Sequence, residues 1–216
     1  MFLSSRLPNR LPPPIQHSNE SGFSEGAARA LLTHLSGDIG VREQGMTTNE
    51  IDTPNFLVET IQSMQAVAQK NGWRLHVEVE TVSGALDYYF VHTQFTNVYN
   101  NLTNVVVSLS PETISPDQPA FLLGAHYDSA FRSPGASDDG VSVVVILETI
   151  RCLVNQKASH YRNRLVAVLN GAEESYLIGS HAFVKHHPWA THVVGFINLE
   201  ARGSGGAEIL FQATPG

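Results

Sequence analysis

The sequence predicts an α/β fold with a mixed sheet, and three observations carry that prediction. Short apolar runs at 121–125, 165–169 and 193–199 read as buried strands. Apolar-periodic segments at 141–154 and 176–187 lie between them and read as helices. The strand runs lead directly into His126, Asn170 and Glu200. Polar side chains thus gather at strand carboxyl ends, where open α/β sheets bind ligands.

The remaining elements follow in order. Residues 1–23 read as a flexible lead, because Pro8 and Pro12 to Pro14 stand among polar residues. A first helix is expected over 24–37, capped by Ser24, with Ala28, Leu31, Leu32 and Leu35 on its apolar face. A second is expected over 54–71, where Leu57, Ile61, Met64 and Val67 recur at helical spacing and Gly72 suits the end. Residues 74–82 alternate, with Leu75, Val77 and Val79 on one face, and 88–92 and 105–109 read as further strands. Residues 111–119 form a loop between Pro111 and Pro119. Pro188 stops the 176–187 helix, and 208–212 is expected as a last strand. There is no internal repeat.

A length of 216 residues fits one sizeable domain or part of one, and an apolar share of 42% supplies its core. The net charge of −7 and the lack of a basic run exclude a nucleic-acid groove. No apolar stretch approaches the roughly 20 residues that a membrane-spanning helix needs. No signal-peptide apolar region is visible near Met1. Cys152 is the only cysteine, which excludes an internal disulfide and a cysteine-based zinc site. It reads as a small apolar residue on the 141–154 helix. Asn19-Glu20-Ser21 and Asn101-Leu102-Thr103 are glycosylation sequons and point towards a luminal or secreted chain.

Three polar clusters carry the chemistry. They are His126 with Asp128, the pair Asp138-Asp139, and the pair Glu173-Glu174, each next to a glycine-containing turn. Adjacent carboxylates repel, and ionising both in a crevice requires a compensating cation or proton. A two-metal hydrolase needs imidazole and carboxylate ligands, plus a free carboxylate to take a proton from water. His126, Asp138, Glu174 and Glu200 can supply the ligands and Glu173 the base, while Asp128 can fix the His126 tautomer. Each piece alone has a plainer reading. A lone histidine can be structural, an Asp-Asp-Gly a turn, and a Glu-Glu a solvated helix start. His181, His186 and His187 share one helix without a His-Glu-x-x-His arrangement and read as structural. No Gly-x-Ser-x-Gly elbow or phosphate loop is present.

The motifs Gly-Ala-His-Tyr-Asp-Ser (124–129), Gly-Ala-Ser-Asp-Asp-Gly (135–140), Asn-Gly-Ala-Glu-Glu (170–174) and Phe-Ile-Asn-Leu-Glu-Ala (196–201) stand in this order. Together they closely resemble the co-catalytic di-zinc exopeptidases of the bacterial leucyl aminopeptidase type. Residues 181–190 and 208–212 make the chain look like the endoplasmic reticulum metallopeptidase branch. The resemblance covers roughly 24–216.

It implies a mixed, mostly parallel sheet between helices, of the phosphorylase/hydrolase-like kind, with 24–216 as the N-terminal part of a zinc exopeptidase domain. It implies two zinc ions per complete domain. Asp138 would bridge them, His126 and Glu200 would complete one site, and Glu174 would serve the other. Glu173 would be the general base acting on a zinc-held water, and the Asp138-Asp139 peptide would be cis. A peptide or protein substrate is implied, with aminopeptidase action. The family's final histidine ligand lies downstream of the Glu200 motif, so one ligand is expected beyond Gly216 and the chain looks C-terminally truncated. In this branch the domain faces the endoplasmic reticulum lumen, so the membrane is met only through segments absent from this chain. Two other readings share the scaffold. One is a non-catalytic binding or trafficking module, or an inactive fragment. The other is an aminoacyl-cyclising enzyme with a single zinc.

Overall fold

Helices come first along the chain: α1 (Glu25–Thr33), α2 (Thr53–Gln62) and α3 (Gln65–Lys70). Then follow β1 (Trp73–Phe90), β2 (Thr93–Pro111), β3 (Ala120–His126), α4 (Val141–Val154), β4 (Arg164–Asn170), α5 (Ile178–His186) and β5 (Val193–Asn198). This computed structural model describes residues 22–201, 203 and 209–213, with the backbone alone at Phe90. Most of the expected flexible lead therefore lies outside the described residues, Asn19 included.

The five strands form one sheet in the order β1-β2-β4-β3-β5. β1 runs antiparallel to β2, and β2 antiparallel to β4. β3 runs parallel to both β4 and β5. The sheet is mixed, as expected. Parallel pairing is confined to β3, β4 and β5, so it does not predominate over the described sheet. The cause is the long β1–β2 hairpin, which contributes both antiparallel pairings. The parallel half is the half whose carboxyl ends carry the candidate residues.

Two layers of helix cover the sheet. On one face, Leu57, Ile61 and Ala68 from α2 and α3 and Val143, Ile146, Leu147 and Ile150 from α4 meet Val105, Val107, Ala167 and Leu169. On the other, Phe183 of α5 packs on Val106, Val166 and Val168. Burial on both faces explains why 102–111 is buried at every position, while the first half of β2 is largely exposed. Among the described residues no helix is long and apolar enough to cross a membrane.

Several boundaries differ from the expectations. α1 is capped by Ser24, whose Oγ accepts the Ala27 N–H at 3.2 Å, but it gives way to a wider π-helical turn at His34–Ile39. The expected 54–71 helix begins earlier, with a π-helical turn at Thr48–Asp52, and is broken between α2 and α3 at Ser63 and Met64. Leu75 and Val77 pack against the core, whereas Val79 is exposed, beyond the reach of the helices. Of the strand expected at 208–212, the described residues 209–212 form none. Residues 209–213 pair with no described strand, and Ile209, Leu210 and Phe211 are exposed. Without a partner strand, extended backbone gains no ladder hydrogen bonds. Glu208 lies outside the described residues.

Candidate metal centre

Three strand ends and one helix entrance converge here. His126 closes β3 and stands opposite Asn170, the last residue of β4. The Tyr127 N–H donates to Asn170 O at 2.8 Å, which keeps the two ends level. After β4 the chain turns through Gly171, where any Cβ would collide with the Tyr127 hydroxyl and Thr103 O, and then presents Glu173 and Glu174. Leu199 donates to Gly124 O at 2.8 Å and so brings Glu200 back across β3. Asp138 lies in the turn Ala136–Gly140 that runs into α4, and its own backbone is extended, at φ −120 and ψ 96. The turn is entered through Gly135 at φ +56, a left-handed backbone that suits glycine. The Asp138-Asp139 peptide is cis.

The His126 ring is 1% exposed and its two nitrogens face different groups. Nδ1 lies 3.1 Å from Asp128 O and 3.2 Å from Asp128 Oδ1. A carbonyl only accepts, so Nδ1 carries a proton and donates. Nε2 lies 3.1 Å from Asp138 Oδ1, 3.6 Å from Glu200 Oε1 and 3.7 Å from Glu173 Oε2. Donor atoms of His126, Asp138 and Glu200 lie within 4.8 Å of one another. Asp128 is buried behind them. Its Oδ1 accepts the Glu173 N–H and its Oδ2 the Glu174 N–H, both at 3.0 Å. One carboxylate thus holds the ring of His126 and the backbone of both glutamates. Glu174 is exposed and stands outside the group of three, although the Asp138 charge acts on it.

The electrostatics follow from crowding. Burial works against a charge on His126, but the carboxylates of Asp128, Glu200 and Asp139 outweigh it and lift the imidazole to about 11. Burial raises Glu173 to about 7, with Glu200, Asp128 and Glu174 adding to the rise against the pull of His126. Glu174 is also raised, by partial burial and then by Asp138. Burial would raise Glu200, yet His126 wins and holds it below the ordinary value. A proton on Nε2 offsets part of the negative charge of the carboxylates that face it. An imidazole nitrogen facing carboxylate oxygens is a donor set that zinc accepts, so these residues fit the metal that the sequence implies.

Two supporting residues of the site are given no role by the sequence. Asp139 is fully buried, and its Oδ2 accepts the His126 N–H at 3.2 Å. Burial raises it to about 7, although the Ser142 hydroxyl and His126 oppose the shift. Among the described residues Asp139 Oδ1 has no hydrogen-bond partner. The Asp-Asp-Gly pair showed its two acids but not which one turned inward. Arg42 is also fully buried and donates to backbone carbonyls around the site. Nothing near it in the sequence marks it.

The chain is similar to known proteins. The family model described as Peptidase family M28 matches residues 104–216. Endoplasmic reticulum metallopeptidase 1 of Homo sapiens is 42% identical over 194 residues, which cover 89% of this chain and 21% of that protein. The chain thus spans about a fifth of the length of that curated relative. The LapA aminopeptidase of Legionella pneumophila superposes with a TM-score of 0.64 at 22% identity, over 83% of this chain and 43% of that one. A glutaminyl cyclase of Porphyromonas gingivalis superposes with a TM-score of 0.59 at 23% identity, over 86% of this chain and 62% of that one. An aminopeptidase and a cyclase on one scaffold mean that these superpositions speak for the fold alone.

Proposed function

Because the chain belongs to peptidase family M28, we propose that residues 24–216 form the N-terminal part of a zinc-dependent exopeptidase domain that releases N-terminal residues from peptides. The observation that carries this reading is the Nε2 atom of buried His126 facing Asp138, Glu200 and Glu173 at 3.1–3.7 Å. His126, Asp138 and Glu200 would hold one ion, and Asp138 with Glu174 would contribute to a second. When bound, zinc supplies Lewis acidity that polarises the scissile carbonyl and eases deprotonation of the attacking water.

The chain's own groups do the rest. Glu173 takes the proton as the water oxygen attacks the carbonyl carbon, and returns it to the amine nitrogen as the C–N bond breaks. Its raised pKa of about 7 suits a carboxylate that must accept and release a proton near neutrality. Asp128 accepts from His126 Nδ1, which would leave the Nε2 lone pair free to ligate an ion. Through its other contacts it sets the backbone from which Glu173 and Glu174 project. The relative's name supports placement in the endoplasmic reticulum; the luminal orientation of this domain is part of the proposal.

Glu173→Gln keeps the shape and removes the base. Hydrolysis of an N-terminal peptide bond by the zinc-loaded chain is expected to fall by at least about 100-fold. Zinc content should stay at the parent level. Undiminished hydrolysis would remove Glu173 from its role.

A further inference from the structure

Arg42 belongs to no motif, is 0% exposed, and spends its side chain on main-chain oxygens. Nε donates to Tyr127 O at 2.6 Å. Nη1 faces Leu35 O at 3.0 Å, Gly40 O at 2.6 Å and Pro134 O at 2.8 Å. Nη2 donates to Gly135 O at 3.1 Å. Its own main chain pairs with Ser129. The Arg42 N–H donates to Ser129 Oγ at 2.9 Å, and Arg42 O accepts the Ser129 N–H at 3.0 Å. Ser129 Oγ donates onward to Ser133 O at 2.7 Å.

Leu35 and Gly40 lie on the segment that leads into Arg42, and the other contacts fall on two short loops, the two limbs of the connection 127–135. One is Tyr127–Ser129, which follows His126 and contains Asp128. The other is Ser133–Gly135, which precedes the turn that carries Asp138. A turn at 130–132 joins them, where the Ser133 N–H donates to Ala130 O at 2.8 Å. A guanidinium has five N–H donors in a rigid planar fork, so it can bind carbonyls of both loops at once. Burying that charge without a carboxylate pair is unfavourable, and saturation of its donors offsets the cost. Burial lowers Arg42 to about 10, against the pull of Asp128, so it stays charged at neutral pH.

We infer that Arg42 is a positioning residue of the metal centre. It clamps the loop bearing Asp128 to the loop bearing Asp138 and so fixes the spacing of His126 and Asp138 before any ion binds. The inference rests on the metal-site reading above.

The test compares Arg42→Lys, Ser129→Ala and Arg164→Lys with the parent chain. Two readouts are used: zinc affinity by chelator competition, and hydrogen exchange across 127–139. Lysine keeps the charge but loses the fork, so zinc affinity should fall about 10–100-fold, the usual effect of losing a group that supports metal ligands. Exchange should speed up in both loops together, while β3 and α4 keep their protection. Ser129→Ala leaves the guanidinium but removes the hydroxyl that holds its backbone, and should show a smaller change in the same direction. Arg164 is a buried arginine that donates to Ser108 Oγ and Pro116 O, outside the site. Its lysine variant should leave zinc affinity unchanged. Parent-like affinity and parent-like exchange in folded Arg42→Lys would overturn the inference. If Arg42→Lys does not fold, parent-like behaviour of Ser129→Ala overturns it. If the parent chain binds no zinc, the metal reading fails, and the exchange of the two loops still decides the role of Arg42.

Discussion

His126 divides its labour between its two nitrogens, and pH should expose this. In the metal-free cluster His126, Glu173 and Asp139 all hold their protons more tightly than usual, at about 11, 7 and 7. A folded state that binds more protons than the unfolded chain loses stability as pH rises. For the two carboxyls the contribution is complete below their ordinary values, near 4, and is lost as pH rises through about 7. For His126 it is complete below about 6.5 and is lost as pH rises towards about 11. Glu200 is shifted down and acts in the opposite sense, losing its contribution in acid. The metal-free chain, held in chelator, should therefore melt lower near pH 9 than near pH 6. Zinc competes with these protons, so the loaded chain should show a flatter profile. Thermal unfolding with and without chelator checks this. A metal-free profile that rises with pH would contradict the electrostatics.

The β1–β2 ribbon is the element least legible in the sequence. Its turn places Val91 at φ 43 and His92 at φ 68, both left-handed. Two-residue hairpin turns of this kind usually announce themselves with Asn-Gly or Asp-Gly, and Val-His gives no such signal. Residues 88–92 accordingly read as a strand running through the turn, and of β2 only 105–109 was expected. The start of α5 failed for a related reason, since Tyr176 at φ 66 and Leu177 at φ 60 interrupt an otherwise helical pattern. The two features meet beside the site. Asn97 Nδ2 donates to Ser175 O at 2.8 Å, and the Tyr176 ring lies 5.1 Å from Phe95 and 5.9 Å from Tyr88. The ribbon thus braces the turn that carries Glu173 and Glu174. Tyr176→Ala should lower stability by about 0.5–1.5 kcal/mol in urea unfolding. An unchanged midpoint would mean that the aromatic contacts do not hold the ribbon down. By contrast α4, β3 and β4 were legible to within a residue or so, because their apolar runs sit in the core and packing enforces the pattern.

Across the whole molecule, topology assembles the site from distant segments. His126, Asp138, Glu173 and Glu200 come from separate stretches, and the parallel β4-β3-β5 arrangement brings their ends together. The sequence showed the donors, since His126, Glu173 and Glu200 follow apolar runs and Asp138 precedes one. It did not show their supports, because Arg42 and Asp139 act through burial and backbone contacts that only the fold creates. The central claim is that this convergence binds zinc. The most direct test is zinc per chain by elemental analysis after zinc exposure and dialysis, on the parent and on His126→Ala. The account predicts at least about one zinc ion per folded parent chain, and its loss from a folded His126→Ala. A folded parent chain that retains no zinc, or a His126→Ala chain that retains as much as the parent, would contradict it.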